Sequence, residues 1–187
     1  MKHRLALALI LLVAACRDEA AQSTAAVALT PEAVGHFCQM NLLEHPGPKG
    51  QVHLEGLPGM PLFFSQVRDT IAYARLPEQS HPILAIWVND MGAPGATWDD
   101  PGATNWIDAR RAHYVVGAAV EGGMGAPEIV PFADPAAALA FAAEQGGTVM
   151  DLAQIPDALV IPPDTADTGD DADYARRLRA LSNQPEG

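Results

Sequence analysis

One order of elements, strand, strand, helix, strand, runs twice along this 187-residue chain, and each run alone is too short to bury much of a core. In the first run, residues 36–43 and 51–55 read as strands; Gln51 to Glu55 alternates polar and apolar side chains, the period of a half-buried strand. Ser65 offers an N-cap to a helix over 65–75, with Val67, Ile71 and Ala74 at helical spacing, and residues 83–88 form an apolar strand. In the second run, residues 106–108, 113–118 and 128–132 read as strands around a tight Gly122-Gly123-Met124-Gly125 loop. Asp134-Pro135 then starts a helix as N-cap and first residue. Ala138, Leu139, Phe141 and Ala142 supply its apolar face, Gly146-Gly147 ends it, and residues 148–152 close the run.

Pro and Gly punctuate the rest. His45-Pro46-Gly47-Pro48-Lys49-Gly50, Gly56-Leu57-Pro58-Gly59 and the long loop 89–105 all break regular structure. Pro61-Leu62-Phe63-Phe64 before the first helix and Val130-Pro131-Phe132 before the second share a local signature. The expected fold is α+β, a tandem pair of small ββαβ modules at 34–90 and 106–156 joined by a linker at 91–105 and sharing a core. An irregular single α+β domain is the alternative.

The N-terminus is an export address. Lys2, His3 and Arg4 precede an apolar run, and Val13-Ala14-Ala15-Cys16 resembles a lipobox, which makes 1–15 a lipoprotein signal peptide and Cys16 the lipidation site. A membrane-spanning helix needs roughly 18 consecutive apolar residues, and no stretch of this chain reaches that length. Two or three acyl chains on Cys16 would hold the mature chain to a bilayer on the periplasmic side of a bacterial membrane. Residues 16–33, rich in Ala, Ser, Thr and Gln, read as a flexible tether. Residues 157–187, with five Asp between 164 and 173, read as an acidic, disordered tail.

Charge narrows the function. Eleven basic side chains face 23 acidic ones, a formal net charge of −12. Removing Lys2 and Arg4 with the signal leaves 9 against 23. Nucleic-acid binding wants a basic stripe that neutralises phosphates, so no nucleic-acid partner is expected. Ser65 and Ser80 lack a G-x-S-x-G context and no Walker pattern exists, so no enzyme activity is expected.

The chain has two cysteines. With Cys16 acylated, Cys38 is the remaining thiol in an oxidising compartment, and its sequence context is His36-Phe37-Cys38-Gln39-Met40. On a strand, Cys38 and Met40 share a face, a thiolate beside a thioether, and soft sulfur selects Cu(I) over oxygen-loving ions. His36 shares that face as an auxiliary donor. His113, leading an apolar strand, reads first as a hydrogen-bonded structural imidazole and second as a ligand. Met60 and Met91 sit in loops where packing or exposure competes with a secondary sulfur role, and Met150 reads as core.

These motifs, Cys38-x-Met40, Trp106-Ile107-Asp108-Ala109, His113-Tyr114-Val115-Val116-Gly117, Gly122-Gly123-Met124-Gly125, Glu128-Ile129-Val130-Pro131-Phe132 and Gly146-Gly147 behind a lipobox, closely resemble the NosL family. These are accessory lipoproteins associated with bacterial nitrous oxide reductase. The resemblance spans about 36–152 and is most specific from Trp106 to Phe132. It implies a copper chaperone that binds Cu(I) and supplies the reductase together with a membrane ABC-type maturation complex. It implies Cys38, Met40 and Met124 as metal ligands, with His36, His113 and Met60 as auxiliary candidates. Three soft donors with one thiolate suit a low-coordinate ion that must be released again. This chain departs from common members in lacking an earlier cysteine before the motif, in carrying Gln39 where glycine is usual, and in a Pro/Gly-rich insertion after Leu43. A lipoprotein scaffold that binds protein and no metal is the other reading.

Overall fold

The computed structural model describes residues 21–161 together with Arg176 and Arg179. The expected signal peptide, the expected lipidation site at Cys16 and, apart from Arg176 and Arg179, the expected tail beyond residue 161 lie outside the described residues. Residues 21–161 hold seven strands and two α-helices: β1 (Gly50–Leu54), β2 (Leu62–Phe64), α1 (Val67–Arg75), β3 (Ile83–Asn89), β4 (Trp106–Asp108), β5 (His113–Val116), β6 (Val130–Phe132), α2 (Pro135–Gln145) and β7 (Thr148–Asp151). They form two antiparallel sheets of order β2-β1-β3-β4 and β6-β5-β7, an α+β fold. In both, the first strand of the ββαβ run is central, flanked by the second strand and by the strand that follows the helix.

The two runs share one core cluster. Val67, Ile71, Ala72 and Val88 from the first run pack in one cluster with Tyr114, Val116, Ile129, Ile155 and Val160 from the second. Each such aliphatic side chain contributes about 1.5–3 kcal/mol by leaving water, so the two halves stabilise each other. Tyr114, fully buried, satisfies its hydroxyl by donating to the Ala109 carbonyl at 2.6 Å. Val160 belongs to this core, so the residues 157–161 expected in the tail are folded, in a short 3-10 turn at Asp157–Leu159.

Several elements differ from expectation. Residues 36–43 form no strand. Val34 bridges Asn41 across a tight turn, and a 3-10 turn follows at Leu42–Glu44. Leu62–Phe64, expected as a prelude to the helix, is strand β2, paired with β1 from Gly50↔Phe64 to Val52↔Leu62. The helix starts at Val67 with Gln66 as its cap, not Ser65, and no side chain of its own caps it. Trp106–Asp108 pairs with β3 and so completes the first sheet rather than opening the second. On α2, Asp134 caps as expected and Gly146 and Gly147 take positive φ (76° and 94°), but Leu139 is 61% exposed because only the Ala138 side faces the sheet.

Residues 21–33 are not a loose tether. Gln22 donates to the Leu54 carbonyl at 2.7 Å and accepts from Gly56 N–H at 2.9 Å. The Gln51 amide exchanges two hydrogen bonds with the Val27 backbone (2.9 and 3.0 Å), and Trp87 Nε1 donates to the Thr24 carbonyl at 2.8 Å. Side chains alternate across a strand, so Gln51 and His53 face this segment while Val52 and Leu54 pack with Phe64, Tyr73 and Ile83. The segment thereby covers the polar face of the first sheet.

Candidate metal centre

Cys38 sits half-buried at the tip of the turn between Val34 and Asn41. The turn is closed by Gly35 N–H donating to the Met40 carbonyl at 3.0 Å and Gln39 N–H donating to the Gly35 carbonyl at 2.8 Å. The thiol lies directly over Gly35, where any side chain would strike Sγ. Because this is a turn, the strand argument that put His36, Cys38 and Met40 on one face does not apply. His36 instead packs within an aromatic cluster, its ring centroid 5.4 Å from Phe37, 5.6 Å from Phe64 and 5.3 Å from Tyr73. Met40 is 41% exposed beside it in sequence.

Lys49 is fully buried. Its ammonium donates to the carbonyls of His45, Pro46 and Gly47, a cage that replaces water. Burial draws its pKa down to about 8, opposed by attraction to Glu128 and to Cys38. His45, one cage member, turns its ring to the other half: Nδ1 is 2.9 Å from the carbonyl oxygen of Gly123. A carbonyl only accepts, so Nδ1 carries a proton, and in the neutral ring the lone pair is on Nε2. That Nε2 is buried and has no hydrogen-bond partner among the described residues.

Gly123 precedes Met124 in the expected ligand loop. The loop is a turn with Gly125 N–H donating to the Gly122 carbonyl at 2.8 Å, and it leaves Met124 44% exposed. A Cβ on Gly123 would lie 2.5 Å from the His45 Cβ, and one on Gly122 would meet the Gln66 amide and the Glu128 carboxyl. Glycine at both positions lets the loop press against the first half. Behind it, Glu128 is wholly buried: Oε1 accepts from Arg68 N–H at 3.0 Å and Ile129 N–H at 2.8 Å, capping α1 from the opposite half. Burial pushes its pKa up to about 8, so the carboxyl is predominantly protonated at neutral pH.

Hydrogen bonds run from the Lys49 ammonium to the His45 carbonyl and from the His45 ring to Gly123, the neighbour of Met124, and Lys49 is near enough to Cys38 for their charges to interact. His45 thereby joins the candidate residues, although in sequence it reads as part of a Pro/Gly break. Two auxiliary candidates lie away from His45. Met60 follows the turn at the Leu54 end of β1, whereas Lys49 precedes the Gly50 end; the Cys38 turn lies between, against β2, His36 N–H donating to the Phe63 carbonyl. His113 is in β5, its Nδ1 3.4 Å from an Asp151 carboxylate oxygen. Met91 and Met150 pack against the cores, as does the expected core role of Met150. Among the described residues no three His, Cys, Asp or Glu side chains converge as a metal cage.

A NosL family profile matches residues 26–160. The copper-binding lipoprotein NosL of Achromobacter cycloclastes is 58% identical over 192 aligned positions, covering 100% of this chain and 98% of that protein. The chain belongs to the NosL family. The copper-binding lipoprotein NosL of Stutzerimonas stutzeri is 33% identical over 145 positions, covering 77% of this chain and 73% of its own. The crystal structure of the copper chaperone NosL from Shewanella denitrificans superposes with a TM-score of 0.65 at 31% identity, covering 71% of this chain and 96% of that one. The NosL family is non-enzymatic. Gln39 has φ 55°, the left-handed region that favours glycine. Gln39 offsets the left-handed backbone by donating its side-chain amide to the His36 carbonyl at 2.7 Å.

Proposed function

We propose that this chain is a copper chaperone whose cargo is Cu(I), taken by the Cys38 thiolate, the thioethers of Met40 and Met124, and the free Nε2 of His45. The observation that carries the reading is the His45–Gly123 hydrogen bond, which ties the half bearing Cys38 to the loop bearing Met124. Soft sulfur and imidazole favour Cu(I) over hard cations. A ring whose Nδ1–H is fixed on a backbone carbonyl presents Nε2 in the orientation that ligating histidines use. Neutral thioethers bind more weakly than thiolates, and Met40 and Met124 are 41% and 44% exposed, so a recipient can reach and exchange them.

In the cell the cargo goes to nitrous oxide reductase through an ABC-type maturation complex. The protein works on the periplasmic side of a bacterial membrane, held by acylated Cys16, and catalyses no turnover. Kinship with proteins named copper-binding lipoproteins supports this assignment.

Anaerobic Cu(I) titration against a competing chelator tests the site. One ion per chain is expected, with the affinity abolished in Cys38→Ser and lowered about tenfold or more, at least 1.4 kcal/mol, in Met124→Ala. Unchanged affinity in both variants would reject the metal site and favour a protein-binding scaffold.

A further inference from the structure

The N-terminal segment enters the body at one defined place. Gln22 is fastened by its side chain to the Leu54 carbonyl and the Gly56 N–H, at the end of β1 that turns into Leu57-Pro58-Gly59-Met60. From there the segment runs back along the sheet, past Trp87 to Gln51 and then, through Leu29, to Ala103. Gln22 follows Cys16 by six residues. Even fully extended, six residues span at most about 21 Å. With 21–33 pinned, the leash between an acylated Cys16 and the folded body is short and joins it at the β1–β2 turn.

That turn suits a lipid surface. Residues 56–62 carry no charge, Met60 is 62% exposed, and Leu84, on the neighbouring start of β3, is 38% exposed. The acidic residues at this end are Glu55, whose backbone N–H is bound to the Pro82 carbonyl, and exposed Glu78 in the 76–82 loop that leads into β3. A neutral tip with exposed methionine fits the zwitterionic headgroup region better than an anionic surface, which the acidic body repels. The His45 and Lys49 side of the candidate metal centre is at the other end of the same strand, while the Cys38 turn lies alongside β2, His36 N–H donating to the Phe63 carbonyl. Lys49 and Leu54 are separated by about 17 Å along an extended chain.

We propose that the β1–β2 turn, led by Met60, is a membrane-contact surface: the anchored protein stands on the bilayer on this end and points His45 and the Met124 loop away from it, toward a partner that presents its receiving face in the periplasm. This rests on the lipid anchor proposed above. The geometry assigns Met60 to lipid contact in place of metal binding and leaves the cargo face open while the body stays on the membrane.

The test uses the full acylated chain on phosphatidylcholine vesicles with brominated acyl chains. A tryptophan is introduced at Met60→Trp or, at the metal end, at Leu43→Trp, Leu43 being 51% exposed. Emission is read as the difference from the parent with Trp87, Trp98 and Trp106. Expected is a blue shift and loss of emission for Met60→Trp and neither for Leu43→Trp. Inserting twelve Gly/Ser residues after Asp18 should abolish the loss. Flotation with the vesicles but no quenching at position 60, or equal quenching at 43, overturns the orientation and leaves the anchor standing. A chain that does not float, or a Cys16→Ser variant that floats as well as the parent, refutes the anchor itself and the orientation with it.

Discussion

His45 Nδ1 and the carbonyl oxygen of Gly123 are 2.9 Å apart, although 78 residues separate them in sequence. One imidazole thus does two things: its proton holds the Met124 loop and its free nitrogen stays available. In His45→Leu the carbonyl loses its donor in a partly buried place, which costs about 1–3 kcal/mol. The loop then opens more often. Faster amide exchange at Gly122 and Gly125, with β1 and β5 unchanged, is the expected signature. Unaltered exchange at Gly125 would mean the loop is held by other contacts.

Gly123 and Gly125 differ in why they are glycine, and alanine substitution separates the reasons. At Gly123 the new methyl meets the His45 Cβ at 2.5 Å and the Pro46 carbonyl at 3.1 Å, so Gly123→Ala forces the two halves apart. Overpacking of this kind costs about 1–3 kcal/mol. At Gly125 nothing is within 4 Å and φ is 72°, so Gly125→Ala costs only the left-handed penalty of about 1–2 kcal/mol. Urea unfolding reads both. Cu(I) affinity should fall in Gly123→Ala and hold in Gly125→Ala.

Glu128 makes stability depend on pH in a direction opposite to most carboxylates. Burial lifts its pKa from 4.5 to about 8 in the folded chain. Below 4.5 both states are protonated and the stabilising contribution is complete. As pH rises from 4.5 to 8 the unfolded chain releases this proton while the folded one keeps it, so stability falls, and it levels off above 8. Lys49 acts higher up. Its folded pKa of about 8 against 10.5 makes its contribution rise with pH between those values. Glu128→Gln retains an acceptor for Arg68 N–H and Ile129 N–H without an ionisable group. Urea midpoints at pH 5 and pH 8 should differ less in this variant, which gains on the order of 1–3 kcal/mol at pH 8. An unchanged slope would assign the pH dependence to other groups.

The elements legible in sequence are those specified by neighbours in sequence. Helix α2 is bracketed by Asp134-Pro135 and Gly146-Gly147, and both signals act locally. β3 and β7 are continuous apolar or alternating runs. Helix α1 was misread at its start because its cap is Glu128, 60 residues from Arg68, and no local pattern encodes that. Residues 36–43 alternate enough to suggest a strand, yet Gly35 and Gln39 close a turn there. The segment 21–33 looked like a tether because Ala, Ser, Thr and Gln carry no core signal. Its hold comes from Gln51 and Trp87, 24 and 63 residues away. At the centre, Cys38 and Met124 stood out by chemistry, and His45 did not, since a histidine before Pro46 reads as a loop residue until its ring is seen against Gly123.

Gln39 carries a local cost and a local remedy. A left-handed φ of 55° costs a residue with a Cβ about 1–2 kcal/mol relative to glycine, and its amide bond to the His36 carbonyl recovers about 1 kcal/mol. Gln39→Gly removes both and is expected within about 1 kcal/mol of the parent. Gln39→Ala keeps the cost and drops the remedy, a loss of about 1 kcal/mol. Thermal unfolding of the pair decides it, and equal losses in both variants would show that the side chain supplies packing as well.

The grip on the N-terminal segment depends on Gln51. Its Oε1 accepts from Val27 N–H and lies 2.9 Å from His53 Nε2, while its Nε2 donates to the Val27 carbonyl. Gln51→Leu fills the same volume with no polar atom, stranding the Val27 backbone and the buried imidazole together. Burial holds the His53 pKa below its usual value, so the ring is neutral in the folded chain, and acid destabilises it as pH falls through 6.5, where the unfolded histidine takes up a proton. The segment should therefore peel from the sheet before the body unfolds. Limited proteolysis is expected to cut Gln51→Leu between residues 21 and 29 and leave 34–161 intact, with cleavage faster at pH 5.5 than at pH 7.5. Trp87→Phe, which gives up one bond to the Thr24 carbonyl, should show the same cut more slowly. Cleavage first within β1 or β3 would show that the segment and the sheet unfold as one unit.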